Sequence, residues 1–375
     1  MFLVVAAALL IGLAALIPLT GETLKADKTA PPPPPIAQPT GIEPVYTVQA
    51  GMDGEIFPAF ANYASLQKPR DRRLATISVS ILNSTKDTLK NRVTVQIPGW
   101  SDQEIQTVEI GAGEMRNLAF APAFLPRLFG NHEIVPATAV VTASEGGRTV
   151  FTETVPLRLR ASEDIFWGAN FKFAPFIAAW VTPHDDSVEA ILSRAKEFMP
   201  GRRLPGYENW KNTAAQTHST FMQAQAIYRA LQEKGVSYVK SSTTFGRHLD
   251  VSERVRFPRE SLNQVSANCI DGAVMFASLF ENLGMQPVIV LVPGHAYIGV
   301  REALNSDGYL YIETALTGRV NFENAVLSAS RGLGKFRPDQ ITRISIGEAR
   351  LAGIYPMPSP GSKRGHRDGE AAPAE

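Results

Sequence analysis

Three residues in the second half of the chain have side chains that could perform nucleophilic chemistry together. The only cysteine among 375 residues, Cys269, lies in the stretch SANCIDGAVMF, where Asn268 could cap the start of a helix. The unpaired N–H groups and the dipole of a helix N-terminus favour an anion, so they lower the pKa of a thiol placed there. The thiolate is the reactive form of cysteine, so this stretch predicts a position for a nucleophile.

A histidine and a carboxylate follow the cysteine in an order that suits base-assisted nucleophilic attack. His295 comes after the interruption VPG on a predicted strand, and imidazole beside a thiol is the usual activating pair. Glu313, on the next predicted strand, would face His295 if the strands form a hairpin through EALNSDG. We therefore predict Cys269 as nucleophile, His295 as base and Glu313 as the group that orients the imidazole. Asp307, in the NSDG turn, is the rival for that third role.

The elements that must position these side chains follow a pattern of helices and then strands, which is typical of an α+β domain. Periodicity predicts a first helix with Asp185, Asp186 or Ser187 as its N-cap, a second helix that ends at Gly235, and a third through NCIDGAVMFASLFENLG. PVIVLVPGHAYIGV and GYLYIETAL are predicted as strands, adjacent and antiparallel. Asp271, in the first turn of the cysteine helix, is expected to stabilise that helix rather than act as a catalytic acid.

The region before these helices alternates with a period of two. ATISVSILN, RVTVQIPG, QTVEIGAG and RNLAFAP are predicted strands, and TAVVTASEGGRTVFTETVPLRL is predicted as two strands around an EGGR turn. Short alternating strands with polar turns indicate an antiparallel β-sandwich of immunoglobulin-like size. No catalytic constellation is found in this region.

The two ends of the chain have compositions of their own. Residues 2–21 carry no charge and could just span a bilayer of about 30 Å as a helix. Since no basic residue precedes the run and no good A-x-A site closes it, a membrane anchor is favoured over a cleaved signal peptide, and both imply export. TAPPPPPIAQPTG predicts an extended spacer, and the last 25 or so residues have the composition of a disordered tail.

Composition excludes several classes of function. The chain has 37 Lys and Arg residues and 36 Asp and Glu residues, so its net charge is close to zero. It also has no basic cluster, and we therefore expect no nucleic-acid partner. The sequence has no phosphate-binding loop, dinucleotide fingerprint or Cys/His cluster, so no cofactor and no metal are predicted. Four other histidines are not expected to be ligands or catalytic groups. His184 is expected to be a loop residue, His218 and His248 lack partners, and His366 lies in the predicted tail.

Around the predicted nucleophile the sequence resembles the transglutaminase-like superfamily of papain-like cysteine enzymes. The resemblance rests on NCIDGAVMFASLFENLGMQPVIVLVPGHAYIGV and YLYIETAL, and it covers roughly residues 265 to 316. The positions that match the family pattern are Cys269, Asp271, Gly284, His295, Tyr297 and Glu313. Two of them depart from the usual residue, because Glu313 stands where Asp is common and Tyr297 where Trp is common.

The resemblance implies acyl chemistry on a peptide or glutamine amide. The Cys269 thiolate would attack the carbonyl, His295 would protonate the leaving amine, and the backbone N–H of Cys269 would help to hold the oxyanion. Water as acceptor would make a peptidase or amidase, and a second amine would give cross-linking. The alternatives are a non-catalytic envelope binding module that keeps the fold, and a structural spacer in which Cys269 is only a core residue.

The predicted organisation is a two-domain protein, an all-β immunoglobulin-like sandwich followed by an α+β transglutaminase-like (papain-like) domain. We expect it to act on a protein or peptide substrate at the cell envelope, with the membrane contacted through the N-terminal segment. The predicted boundaries are 1–21 for the signal peptide or anchor, 22–44 for the Pro-rich linker, 45–160 for the sandwich, 161–350 for the transglutaminase-like domain and 351–375 for the tail.

Overall fold

The structure is a computed structural model and describes residues 43–67, 74–208, 212–240 and 252–358. The fold is mixed α/β, with 37% of residues in helices and 31% in strands, so neither class dominates. The predicted segment 1–21, nearly all of the predicted linker and the predicted tail from residue 359 lie outside the described residues, as do His248 and His366. Among the helices described, none is both long enough and apolar enough to cross a bilayer.

The first part of the chain forms two sheets in which all but one of the strand pairs are antiparallel. One sheet has three strands, in the order Val45–Ala50 (β1), Ile77–Leu82 (β3) and Met115–Phe120 (β6). The other has five, in the order Glu55–Ile56 (β2), Arg148–Leu159 (β8), Val135–Glu145 (β7), Leu89–Gln96 (β4) and Glu104–Ile110 (β5). Among the described strands of these two sheets, only β2 and β8 pair in parallel.

Alternating apolar residues explain these strands and confirm the period-two prediction. Ile77, Val79 and Ile81 are fully buried on one face of β3, as successive side chains of a strand point to opposite faces. The predicted EGGR turn is confirmed, because Gly146 and Gly147 adopt φ of +55° and +86° between β7 and β8. Positive φ at both central residues is the geometry that such a two-residue hairpin requires.

A helix within this region was not predicted from the period-two pattern. Pro58–Leu66 (α1) begins with proline in its first turn, where the missing N–H costs no helical hydrogen bond. Phe60 of this helix packs edge-on against Phe176, with ring centroids 4.4 Å apart. The helix therefore joins the strand-rich part of the chain to the part that follows it.

Arg160, at the predicted boundary between the two parts, is fully buried among carboxylates. Its guanidinium lies 3.2 Å from Glu55 Oε2 and 2.9 Å from Asp164 Oδ2. A buried cation of this kind must keep its partners, because leaving either charge unpaired in the interior costs several kcal/mol. The ion triplet thus fixes the start of the second part against β2.

The second part contains six helices and eight strands among the residues that the structure describes. The helices are Asp186–Ala195 (α2), Thr213–Lys234 (α3), Pro258–Asn263 (α4), Cys269–Asn282 (α5), Phe322–Leu333 (α6) and Ile346–Leu351 (α7). The strands are Asp164–Phe166 (β9), Ser237–Tyr238 (β10), Ser252–Arg254 (β11), Ser266–Ala267 (β12), Pro287–Val292 (β13), His295–Arg301 (β14), Tyr309–Ile312 (β15) and Thr342–Ser345 (β16).

The main sheet of this part is antiparallel, with the strand order β15-β14-β13-β16. Helix α5 covers one face and packs mainly on β14, and its residues from Ile270 to Phe280 are all buried. On the other face a second apolar cluster joins Val288, Val290 and Tyr297 to Ala329 and Leu333 of α6. The sheet is thus covered by a helix on each face, which explains the continuous apolar run of β13.

The predicted helices and strands of this part are found, together with elements that the sequence patterns do not predict. The stretch from Pro287 to Val300 is a tight hairpin, because Gly294 turns the chain at φ of +75° and sends β14 back along β13. The elements without a prediction are helices α4, α6 and α7 and strands β9, β11, β12 and β16. Gly235 ends α3 at φ of +88°, as predicted, and Asp185 caps α2 through a bond from the Ser187 N–H.

Candidate active site

Cys269 is the first residue of α5, and a reciprocal pair of hydrogen bonds fixes this helix start. Asn268 Oδ1 accepts from the Asp271 N–H at 2.8 Å, and Asp271 Oδ2 accepts from the Asn268 N–H at 3.2 Å. The predicted roles of Asn268 as cap and Asp271 as helix stabiliser are therefore confirmed. The backbone N–H of Cys269 has no recorded partner within the described ranges, as expected for the first N–H groups of a helix.

Burial and hydrogen bonding act in opposite directions on Asp271. The side chain is fully buried, which raises its pKa above the ordinary value. Backbone N–H groups of Arg256 and Asn268, together with the Arg256 charge, oppose this rise. Because both carboxylate oxygens are occupied in capping α5 and tethering the chain at Arg256, Asp271 has no oxygen aimed at a substrate.

His295 opens strand β14 and hydrogen-bonds one of its predicted partners directly. Its Nε2 lies 2.7 Å from Glu313 Oε2. The other predicted partner, Cys269, acts on the imidazole through hydrogen bonding and charge, and both effects raise the pKa of His295. Since Glu313 occupies Nε2, Nδ1 is the ring nitrogen left for the sulfur. The structure therefore brings Cys269, His295 and Glu313 together at one site.

The charges around His295 favour its protonated form. Burial alone would disfavour imidazolium, but hydrogen bonds and negative charge from Cys269 and Glu313 outweigh it and raise the pKa of His295 from 6.5 to about 10. A histidine with this pKa is a cation at neutral pH. A protonated imidazole beside sulfur is the arrangement that stabilises a thiolate.

Glu313 follows the last residue of β15, and its two oxygens have separate partners. Oε2 accepts from His295, whereas Oε1 accepts from the Ala315 N–H at 3.1 Å and so caps the short turn Thr314–Leu316. The carboxylate is nearly buried, with 7% of the residue exposed. This double anchoring holds Oε2 in place for the imidazole.

Strand register explains why Glu313, and not Asp307, contacts the histidine. β14 and β15 pair from Ile298 opposite Ile312 to Arg301 opposite Tyr309, so the connecting loop lies at the far end of β14 from His295. A strand of seven residues spans about 20 Å, and Asp307 is exposed in that loop. Asp307 is therefore placed away from the imidazole.

The start of α5 and the turn after Glu313 lie in close contact. Thr314 Oγ1 donates to the Cys269 carbonyl at 3.3 Å. A Cβ added to Gly272 would come within 2.6 Å of that same hydroxyl oxygen, a separation that real side chains do not tolerate. Glycine is thus required at this position by the approach of a neighbouring segment, which keeps the helix start next to Glu313.

Two tyrosines at the candidate site are not predicted as site residues from the sequence. Tyr238 is not singled out there, and Tyr297 is named only as a position that matches the family pattern. Tyr238 of β10 lies opposite Ala267 of β12, the strand that leads into α5, so it is close to the start of that helix. Burial, and then the charges of Cys269 and Glu313, raise the pKa of Tyr238. Tyr297 lies edge-on to the imidazole, with ring centroids 4.7 Å apart. The long-range pairing that places Tyr238 here has no local signature in the sequence.

Other histidines and carboxylates lie outside this arrangement. His184 and His218 are exposed. Elsewhere in the described part of the chain, His132, Glu163 and Glu260 offer possible metal-ligand atoms within 4.8 Å of one another. These groups already have protein partners, since Glu163 accepts from Ser162 and pairs with an arginine while Glu260 accepts from a backbone N–H.

Comparison with known proteins gives no further assignment of this site. A scan against protein-family models finds no match to the chain, and a search of curated proteins finds none that meets the significance threshold.

Proposed function

We propose that this protein is a cysteine-dependent enzyme of transglutaminase-like type that performs acyl chemistry on peptide or glutamine amides. The observation that supports the proposal is that Cys269, His295 and Glu313 meet at the start of a buried helix, with His295 Nε2 2.7 Å from Glu313 Oε2 and the pKa of His295 raised by both partners. Nucleophile, base and orienting carboxylate are the parts that such chemistry needs. Their order along the chain and their placement on helix, strand and strand end also match the resemblance.

The geometry suggests how each residue would act. The thiolate of Cys269 attacks the carbonyl carbon, a C–S bond forms, and the carbonyl electron pair moves to oxygen. The Cys269 backbone N–H, which has no recorded partner among the described residues, is available to hold that oxyanion. The imidazolium of His295 then gives its proton to the departing amine as the C–N bond breaks, leaving a thioester.

The second half of the reaction returns the enzyme to its starting form. His295, now neutral and held by Glu313, accepts a proton from water or from an amine as either attacks the thioester carbonyl. Sulfur leaves as thiolate when the C–S bond breaks. With water as the acyl acceptor the protein would be a peptidase or amidase, and with an amine it would catalyse acyl transfer. We propose the same residue roles for both acceptors.

We also propose the two-domain architecture and the cell-envelope location that the sequence predicts. Residues 45–160 would be an immunoglobulin-like sandwich and 161–350 a transglutaminase-like domain. The contact between the two sheets supports a sandwich, because the Tyr46 ring of β1 stacks on Phe151 of β8 at 4.5 Å. The N-terminal segment would anchor the chain in a membrane or direct its export, so that the site meets protein or peptide substrates in the cell envelope.

Alkylation of Cys269 by iodoacetamide tests the proposal directly, because the chain has a single cysteine and every labelled molecule is labelled there. The rate would be measured from about pH 4 to about pH 9 for the full chain, for His295→Ala and for the matched control His218→Ala. Rapid labelling near pH 6 that is lost in His295→Ala and kept in His218→Ala supports the enzyme. Labelling that rises only above about pH 8 in all three proteins instead supports a non-catalytic envelope scaffold.

A further inference from the structure

A pocket of about 330 Å³ lies next to the proposed catalytic histidine, between strand β14 and helix α6. Tyr297 forms its wall on the side of the sheet, and the ring of this residue is in edge contact with His295. Helix α6 and the residues just after it form the other wall. The volume falls within the range of roughly 300–1,000 Å³ that is usual for ligand pockets.

Tyr297 is a buried polar residue whose hydroxyl has no recorded protein partner. Only 5% of the residue is exposed, and its hydroxyl lies against Gly332 of α6, where any added Cβ would collide with it. No hydrogen bond of this hydroxyl is recorded among the described residues, although the residue lines the pocket. Burial raises the pKa of Tyr297, so the hydroxyl keeps its proton and is available as a donor.

Two cations line the same pocket without a recorded ion partner in the described part of the chain. Arg331 lies in the last turn of α6 and Lys335 two residues beyond the end of that helix, and both are exposed. Arg337, a few residues further on, differs from them because it is paired with Asp339 at 3.1 Å. The helix C-terminus contributes about half a negative charge, which is less than the two positive charges of the side chains.

We propose that this pocket binds a carboxylate carried by the peptide substrate, close to the amide that Cys269 attacks. The inference rests on the proposed function and specifies its substrate class. A peptide spans about 3.4 Å per residue and the pocket begins one aromatic ring from His295, which places the carboxylate within about three residues of the reacting amide. Ser328 and Asn324, which also line the pocket, supply further polar groups.

Two sources could provide such a carboxylate, an acidic side chain or the free terminal carboxyl of the substrate. Epoxysuccinyl dipeptides whose second succinyl carboxyl is an ethyl ester separate them, because their side chain can be Glu or Gln and their terminal carboxyl free or amidated. In each probe the sulfur of Cys269 forms a bond to an epoxide carbon, the C–O bond breaks, and the oxygen takes the proton of His295. Mass spectrometry of the intact chain gives the second-order rate of labelling.

The expected result is about tenfold faster labelling by the probe whose carboxylate reaches the pocket than by its neutral counterpart, a difference of about 1.4 kcal/mol. The ratio of charged to neutral probe should fall to near one in the double variant Arg331→Gln/Lys335→Gln. It should stay near ten in Arg337→Gln, which removes a nearby cation that is already paired and does not line the pocket. High salt should reduce the ratio in the native chain.

The outcomes separate this inference from the proposed function. Equal rates for charged and neutral probes, with labelling that still depends on His295, would overturn the carboxylate pocket and leave the cysteine enzyme standing. A preference that persists in the double variant would also overturn it. No His295-dependent labelling by any probe would instead remove the proposed function, and the pocket assignment with it. Tyr297→Phe gives an independent check, with an expected loss of about threefold in the ratio.

Discussion

Replacing Glu313 by Gln tests the orienting role of this residue with almost no change of shape. In the native chain Oε1 accepts from the Ala315 N–H and Oε2 accepts from His295 Nε2. The amide of Gln can keep its oxygen on Ala315 only by turning its NH2 group toward the imidazole. That NH2 would donate to Nε2 and so force the proton of a neutral imidazole onto Nδ1, the nitrogen that faces Cys269.

The opposite orientation of the amide introduced by Glu313→Gln also loses a hydrogen bond. If the Gln oxygen faces His295, the NH2 group faces the Ala315 N–H, and two donors meet in a nearly buried place. Either orientation removes a hydrogen bond between charged groups, which is worth about 1.5–3 kcal/mol. At about 1.4 kcal/mol for each factor of ten, the population of the thiolate–imidazolium pair should fall by roughly 10- to 150-fold.

The assay is the second-order rate of iodoacetamide labelling at about pH 6, where a free thiol is nearly unreactive. Glu189→Gln, an isosteric change at an exposed position of α2, is the matched control. NMR titration adds a second readout, because the pKa of His295 should fall well below its native value of about 10 when the carboxylate is lost. A labelling rate for Glu313→Gln within twofold of the native chain would refute the orienting role.

Three further predictions concern stability. Gly272→Ala should lower the free energy of unfolding by about 1–3 kcal/mol, because the added Cβ displaces Thr314, and it should also slow the labelling of Cys269. A gain in stability in a urea titration would contradict this. Burial raises the pKa of Glu253 from 4.5 to about 7 against a hydrogen bond from Trp167, so its contribution to stability is present below about pH 4.5 and lost as the pH rises through about 7. Glu253→Gln should therefore stabilise the chain at about pH 8, by at most about 3 kcal/mol, with no gain at about pH 4. Arg160→Met should cost about 3 kcal/mol at neutral pH, because it leaves two buried carboxylates without their cation. The loss should be smaller in acid, because burial raises the pKa of Asp164 and its protonated form no longer needs the cation; an equal loss at both pH values in thermal melts would argue against the ion triplet.

Local chemistry made the first half of the candidate site predictable. Asn268 before Cys269, with Asp271 three positions after the cap, is a helix-start signal that depends on neighbouring residues alone. The place of Glu313 followed from one further assumption, that β14 and β15 form a hairpin, and their antiparallel register confirms it. Alternation likewise revealed the long strands, where one face of Ile and Val is fully buried.

Contacts between distant segments could not be predicted in the same way. Strand β10 is two residues long, and its parallel pairing with Ser266–Ala267 is what brings Tyr238 close to the start of α5. Helix α1 has an almost entirely apolar sequence and is defined by aromatic contacts with residues more than a hundred positions away. Helix α6 could have been found, because Asn321 caps a run in which Phe322, Ala325 and Ala329 share one buried face.

The single thiol of this chain has a consequence for its chemical durability. Cys269 is a half-buried free thiol, and a thiolate is the form of cysteine that peroxide converts to sulfenic acid. Many redox-sensitive proteins recover because a second cysteine condenses with that product, but this chain has none. Recovery of an oxidised Cys269 therefore needs a thiol from outside the molecule, and further oxidation to the sulfinic or sulfonic acid would end its reactivity. The working lifetime of such a site depends on the balance of oxidants and thiols around it.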